Sequence, residues 1–493
     1  MKIVFRILII ILTLIQSPIF AEEENHTNSQ AEKTIWDYKR DDFIDRTLAG
    51  DDSVFAQQRQ KEIDKELEKN LNVTLVPITL EKCLKIAVAN NYNIKQKKAV
   101  ERQNLWNEAN AYSRLLPNLQ YSYTSEWLSG TYLVGGIVPD EVSENPLSSF
   151  MTLDWSAFER GKVIFDVIQR RYLHQSAEAL LKFSRDETIL NTAVSYYELL
   201  QKKAELDIYT TNLIDRQAQL DLTTARYHAG VGTRFDIYRA EAEHAKAKQE
   251  FITAFNAIRV AQAKLANYMG IDVTIPVYPE EISIVKKKLI DEELDCLIDK
   301  SKTARQDLVA ERKQIDALKA ERNAIFTEFV PDVKFTYVHA RYGTKRVGTF
   351  PSDTFSINVV APLGKNLGVN TLTQVKSANY KIKSEQLNLI QHSRNIEESI
   401  INSTQKAKSA NERIDSSKKE VFASDKSLES SIVLMNAGIQ TFIDVLQAQS
   451  LKVNAQVGLT QNITDFNISQ VQILFDAGII SIDGVLNGIN QTP

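Results

Sequence analysis

Cysteine, proline and glycine are all scarce in this chain of 493 residues, which has 2, 11 and 17 of them. Two isolated thiols, Cys83 and Cys296, do not make a disulfide framework. They read as buried helical thiols, with a bridge between them left open. No proline stands between Pro146 and Pro276, nor between Pro362 and Pro493. Proline-free intervals of that length point to long helices. An α/β enzyme needs a turn residue every ~10–20 positions, so that class is disfavoured. There is no excess of basic charge either, with 59 Lys and Arg against 63 Asp and Glu. Electrostatics gives no reason to expect nucleic acid as a partner. With 43% hydrophobic and 25% charged residues, the chain is not disordered as a whole.

Nor is there an apolar run of the roughly 18–20 residues that a membrane-spanning helix needs. Ile7 to Ile15 is shorter and follows Lys2 and Arg6. Residues 1–21 therefore read as a secretory signal peptide, cut after Ala21. Without Lys2 and Arg6 the mature chain has 57 basic and 63 acidic groups, a net −6. It is expected to be exported, without a helical span. Residues 22–75 are polar and mixed in charge and read as an N-terminal extension, with one helix expected near 53–69.

What is there is a repeat. Leu116-Pro117-Asn118-Leu119-Gln120-Tyr121-Ser122-Tyr123 returns as Val330-Pro331-Asp332-Val333-Lys334-Phe335-Thr336-Tyr337, 214 residues later. Ala229-Gly230-Val231-Gly232-Thr233-Arg234-Phe235-Asp236-Ile237 returns as Ala437-Gly438-Ile439-Gln440-Thr441-Phe442-Ile443-Asp444-Val445, 208 later. Cys83 and Cys296 are 213 apart. The chain is a tandem duplication. Each unit has short helical stretches (80–115 and 291–329), two alternating segments around a loop, a very long helix, a glycine turn and another helix.

The alternating segments have period two and many aromatics. Leu119, Tyr121, Tyr123 and Trp127 share one parity; so do Met151, Leu153 and Trp155, Val333, Phe335 and Tyr337, and Phe355, Ile357 and Val359. That is strand patterning. Four strands of about ten residues suit a tilted membrane β-strand or an ordinary soluble sheet. They cannot close a barrel with a lumen, and open edges are not tolerated in lipid. If the strands lie in a membrane, several chains share one barrel.

The long helices carry heptads. Ile237, His244, Phe251, Ile258 and Leu265 recur every seven residues, beside Ala240, Ala247, Ala254 and Ala261. Ile400, Ala407, Ile414, Val421, Leu428 and Met435 do the same in the second unit. Such seams imply left-handed supercoiling with close helix approach. The stretch 165–228, without Gly or Pro, reads as one helix of roughly 95 Å, too long for one compact core. The six histidines show no metal-ligand spacing, and no phosphate loop or nucleophile elbow is present. No catalytic residue, metal ligand or cofactor is proposed.

These residues resemble the TolC-like outer membrane efflux proteins. The matching stretches are Leu80-Glu81-Lys82-Cys83-Leu84-Lys85-Ile86-Ala87 with Asn90-Asn91, the Leu116-Pro117 start of a strand, and Leu153-Asp154-Trp155-Ser156-Ala157-Phe158. The Ala-Gly-x-x-Thr-x-x-Asp turns and the duplication match as well. The resemblance covers about 76–480. It divides the mature chain into repeats at 76–284 and 285–480, with a tail at 481–493. It implies a mainly α fold with a small β part. Long coiled-coil helices would form a trimeric α-helical barrel. A shared 12-stranded transmembrane β-barrel, four strands per chain, would continue it.

The implied function is a passive exit duct in the outer membrane, extending into the periplasm. It would export small molecules, such as drugs and toxic compounds, or proteins. The implied partners are two further copies of the chain, outer membrane lipid, a periplasmic adaptor and an inner-membrane pump. That pump would be of the resistance–nodulation–division or ABC type. An iris at the periplasmic helix tips would gate the duct. Asp444 matches a family position that narrows the pore, and the next such position is Gln447. Asp444 can equally be a helix cap, as its repeat mate Asp236 suggests. Family members lock the tip through positions matching Asp236, Met435 and Gln440; the residues here do not preserve a charged lock, for which Arg234 is the candidate substitute. Gly230, Gly232, Thr233, Gly438 and Thr441 form the tip turns that adaptors contact. The residues alone also admit a structural or adhesive coiled-coil envelope protein without a pore. That reading explains the heptads but neither the strands nor the duplication. Loops are expected near 129–148 and 341–353.

Overall fold

The computed structural model describes residues 77–134, 138–144, 146–156, 159–280, 285–290, 292–344, 348–361 and 368–488. The signal segment and the helix expected near 53–69 lie outside them. The chain divides into two compact units. One is 1–77 with 274–278, of which residue 77 and 274–278 are described. The other, 78–273 with 279–493, holds every element below.

The same order of helices and main strands occurs twice, with an extra hairpin in the first pass. Helix α1 (Leu80–Asn90) breaks at Asn91 into α2 (Tyr92–Ser113). Strands β1 (Asn118–Ser125), β2 (Leu128–Val134), β3 (Val138–Glu144) and β4 (Pro146–Trp155) follow. Then come α3 (Lys162–His228) and α4 (Arg234–Met269). The second pass is α5 (Leu294–Ala304), α6 (Gln306–Phe326), β5 (Asp332–Thr344), β6 (Gly348–Val360), α7 (Val369–Asn436) and α8 (Phe442–Asp476). The stretch set down as a tail begins with a short helix, α9 (Ile482–Asn487).

The proline-free intervals are long helices. Helix α3 has 67 residues and α7 has 68, each about 100 Å at 1.5 Å per residue. The alanine row of α4 forms its tightest seam: Ala240, Ala247, Ala254 and Ala261 are all buried. Their small side chains let α3 and α4 approach closely. Helix α7 has a second row beside its aliphatic one. Ser403, Ala410, Ser417, Ser424 and Ser431, seven residues apart, are buried. Ala410 and Ile414 pack there on Phe466 of α8.

The duplication shows in one repeated contact. Gly270 follows α4 at φ +68°, and a Cβ there would stand 2.6 Å from the Asn90 carbonyl oxygen. Gly478 follows α8 at φ +72°, and a Cβ there would stand 2.8 Å from the Arg305 nitrogen. Only glycine fits either place, because both backbones approach a helix break, α1–α2 or α5–α6.

Four strands form one antiparallel sheet in the order β1-β4-β5-β6. Its register aligns Leu119, Leu153, Tyr337 and Phe355 across all four strands. The four expected strands are therefore present and adjacent. The expected loops are largely strand. Residues 128–144 hold a separate hairpin, β2–β3, with Val134 opposite Val138. Strands β5 and β6 continue to Thr344 and Gly348. Their local β-formers, such as Thr131, Tyr132, Leu133 and Val134, lack the clean alternation of the main sheet. The two cysteines are not joined in a disulfide; Cys83 is buried as expected, but Cys296 is exposed.

Candidate functional site

The sheet has two unlike faces. One carries Leu119, Tyr121, Tyr123, Met151, Leu153, Trp155, Phe335, Tyr337, Phe355 and Ile357, which share one parity in register. Tyr121, Tyr123, Phe355 and Ile357 are each more than half exposed. The other face carries Asn118, Gln120, Thr152, Asp154, Lys334, Thr336 and Ser356. There Asp154 accepts from the Thr336 hydroxyl at 2.8 Å and pairs with Lys334 at 3.1 Å. Among the described residues, β1 and β6 each have a strand neighbour on one side only. At its helix end the sheet is thus apolar on one face and polar on the other; toward the hairpin ends the first face carries His339, Arg341 and Asp353 and the second Phe150, Val338 and Tyr342, and both edges are open.

The two glycine turns sit at the far ends of the long hairpins. Gly230 (φ +77°) and Gly438 (φ +74°) close α3 and α7 in the left-handed conformation. Thr233 and Thr441 then cap α4 and α8. Each threonine is bonded to the acid three residues on. The Thr441 N–H and hydroxyl donate to Asp444 at 2.9 and 2.7 Å; those of Thr233 donate to Asp236 at 3.2 and 2.6 Å. These bonds hold the Asp444 carboxyl below the usual range: the Thr441 hydroxyl contributes most, then its N–H. Asp236 and Asp444 therefore act first as helix caps. Met435 is buried and Gln447 is exposed. The Gln440 side-chain oxygen is buried without a hydrogen-bond partner. Arg234 bonds locally, donating from Nε to the Tyr227 hydroxyl at 2.9 Å with its guanidinium over that ring. Within one chain, the structure does not join Asp236 to Met435 or Gln440. His244, placed on the α4 seam, is half-buried, and burial, with Lys248, lowers its pKa.

Sequence reasoning missed a polar node above the tips. Arg216 of α3 is 3% exposed. It donates to the Ser450 hydroxyl at 3.0 Å and to the Leu446 carbonyl at 3.4 Å, both on α8. Glu243 of α4 is 3.9 Å away. Gln219 of α3 donates to Gln449 of α8, which donates to Asp215 at 3.3 Å. Burial lowers the Arg216 pKa and raises that of Asp215, each partly offset by nearby opposite charge. A cavity of about 60 Å³ lies against this node, lined by Asn212, Glu243, Lys246 and Asn454. The node joins the hairpin of the first half to that of the second. Nothing in the sequence marks it, since an arginine on an amphipathic helix reads as solvated. Among the described residues no group of His, Cys, Asp or Glu is arranged to hold a metal ion. No described helix is long and apolar enough to cross a membrane.

Residues 83–271 match the family model of the outer membrane efflux proteins. That stretch of the chain is similar to the outer membrane efflux proteins. The match points to the outer membrane, with an extension into the periplasm, and to the general role of an efflux channel. The family is one of channels rather than enzymes.

Solved structures share its fold. The Campylobacter jejuni CmeC outer membrane channel is similar at 14% identity and TM-score 0.74, over 81% of this chain and 85% of that one. VceC, an outer membrane protein of Vibrio cholerae, is similar at 17% identity and TM-score 0.70, over 81% and 96%. The open-state MtrE channel of Neisseria gonorrhoeae is similar at 16% identity and TM-score 0.69, over 81% and 89%. No curated protein sequence matches the chain significantly.

Proposed function

We propose that three copies of this chain form a passive exit duct through the outer membrane and periplasm. The observation that carries the proposal is the sheet. Four antiparallel strands with an exposed aromatic face, an opposite face that is polar at its helix end, and two open edges cannot sit in lipid alone. Three such sheets, edge to edge, close a 12-stranded barrel whose apolar faces meet lipid and whose polar faces, with Asp154 and Lys334, line the lumen. The long helices continue it as a coiled tunnel. The two halves of the chain, 76–284 and 285–480, act as its repeated building blocks.

The tips form the iris. Three copies of Asp444, with Gln447 one turn on, ring the axis and favour cations. Asp236, Met435 and Gln440 lie at the contacts between hairpins, where the unpartnered Gln440 oxygen is a free acceptor. The turns at Gly230, Gly232, Thr233, Gly438 and Thr441 receive a periplasmic adaptor, which links the duct to an inner-membrane pump of the resistance–nodulation–division or ABC type. Small molecules or proteins pass through.

The test is native mass in mild detergent followed by conductance in planar bilayers. Three chains per particle and discrete cation-preferring steps are expected. A monomer released without detergent would sink the proposal and favour a coiled-coil envelope protein without a pore.

A further inference from the structure

His174 of α3 lies between two carboxylates of α2. Its Nδ1 is 2.8 Å from Glu108 Oε2, and its Nε2 is 3.1 Å from Glu101 Oε1. The two glutamates are seven residues apart, two turns along one helix face. None of the three side chains is more than 20% exposed. Among the described residues neither glutamate pairs with a second basic side chain. A neutral imidazole has one N–H and one lone pair. It donates to one of these carboxylates and sets its lone pair against the other. Only the imidazolium donates to both.

We propose that His174 is a proton-dependent staple between α2 and α3, closed when the ring is protonated and loosened when it is not. Its place gives it consequence. Helix α2 leads into β1, and α3 leaves the sheet after β4. At the sheet end this pair of helices is held by Arg114, at 2.7 Å from Glu159 and 2.8 Å from Asp166. Those pairs are held by a guanidinium, not an imidazole. The histidine holds the next level down, and there the hold depends on a proton.

The charges around the ring agree. Burial lowers its pKa, but the bonds from Glu101 and Glu108 outweigh that and raise it above the usual 6.5. Helix α6 also packs on this stretch. Its Lys313 stands over the Tyr172 ring, and its Glu321 accepts from Gln169. On α3 itself Arg170, Arg171 and Glu178 flank the site. The folded value is raised, so the staple is fully present below 6.5 and is lost as pH rises through that raised value.

The second half supplies a built-in comparison. His392 of α7 also meets two carboxylates of α6, Glu311 at 2.7 Å and Asp307 at 3.5 Å. Asp307, however, is already held by Arg305, with contacts of 2.6 and 3.1 Å. Arg305 also meets Asp476 of α8 at 3.8 Å, and Lys302 of α5 reaches Glu397 of α7 at 3.7 Å. Lys381 of α7 also reaches Glu321 of α6 at 3.6 Å, so the α6–α7 contact has an ion pair that does not involve His392.

Hydrogen exchange of the full-length protein in detergent, at pH 5.5 and 8.5 and corrected for intrinsic rates, tests this. Amides of α2 should open roughly two- to fivefold more readily at pH 8.5, while those of α6 should not change. His174→Gln should remove the α2 response; His392→Gln should leave it. If His174→Gln does not assemble, Glu101→Gln should reduce the response. A pH response of α2 that survives in His174→Gln, or none in the natural protein, would overturn the proposal. The readout needs neither pore nor trimer, so it stands apart from the duct reading.

Discussion

The carboxylate of Asp444 accepts both the N–H and the hydroxyl of Thr441, at 2.9 and 2.7 Å. The acid proposed to line the pore is thus a cap, and the observed and proposed roles separate by mutation. Thr441→Ala should leave the charge in place but speed amide exchange over 442–445, while Thr441→Ser should not. Asp444→Asn should speed that exchange and also lower the cation preference of the conductance. The cap also has an acid limit. Its pKa is depressed, so its contribution is present above the usual 3.8 and is lost as pH falls through the depressed value.

Asp186 of α3 behaves in the opposite sense. Burial pushes its pKa up to about 6, against the pull of Arg305 and Arg185. Between the usual 3.8 and about 6 the folded chain holds a proton there that the unfolded chain has released. Stability from this group is full below the usual 3.8 and is lost as pH rises through about 6. Asp186→Asn should stabilise the protein by about 1–2 kcal/mol at neutral pH. Near pH 4 it should have little effect. Thermal unfolding at the two pH values checks this.

Arg216 is buried between two hairpins. Arg216→Ala should cost about 1–3 kcal/mol, because it strands the Leu446 carbonyl and Ser450 hydroxyl beside an enlarged cavity. Arg216→Met should recover part of that by filling the space. Denaturant midpoints of the two variants give the comparison.

The alanine seam sets how closely α3 and α4 pack. Ala247→Leu should destabilise by about 1–3 kcal/mol through overpacking. Ala245→Leu, on the exposed face of the same helix, should stay within about 0.5 kcal/mol. Melting temperatures in detergent distinguish them.

The parts legible in the sequence were those with a period. Strands β1, β4, β5 and β6 showed through alternating aromatics, and α4 through its alanine row. The glycine turns showed through their repetition. The parts that were not legible depend on partners distant in the chain. Arg216 finds its acceptors on α8, more than 200 positions away. The serine row of α7 reads as polar surface until α8 covers it. The β2–β3 hairpin has no alternation of its own.

Sequence by itself determined the duplication, the length of the helices and the two faces of the sheet. These follow from local patterns, the periods of 2 and 7 and the absence of proline, which act within each element. The tertiary structure decided which elements meet. It buried Arg216 against α8 and set His174 between Glu101 and Glu108. Those outcomes depend on the relative rotation of helices packed side by side. That rotation is fixed only when distant segments of the chain fill the same space.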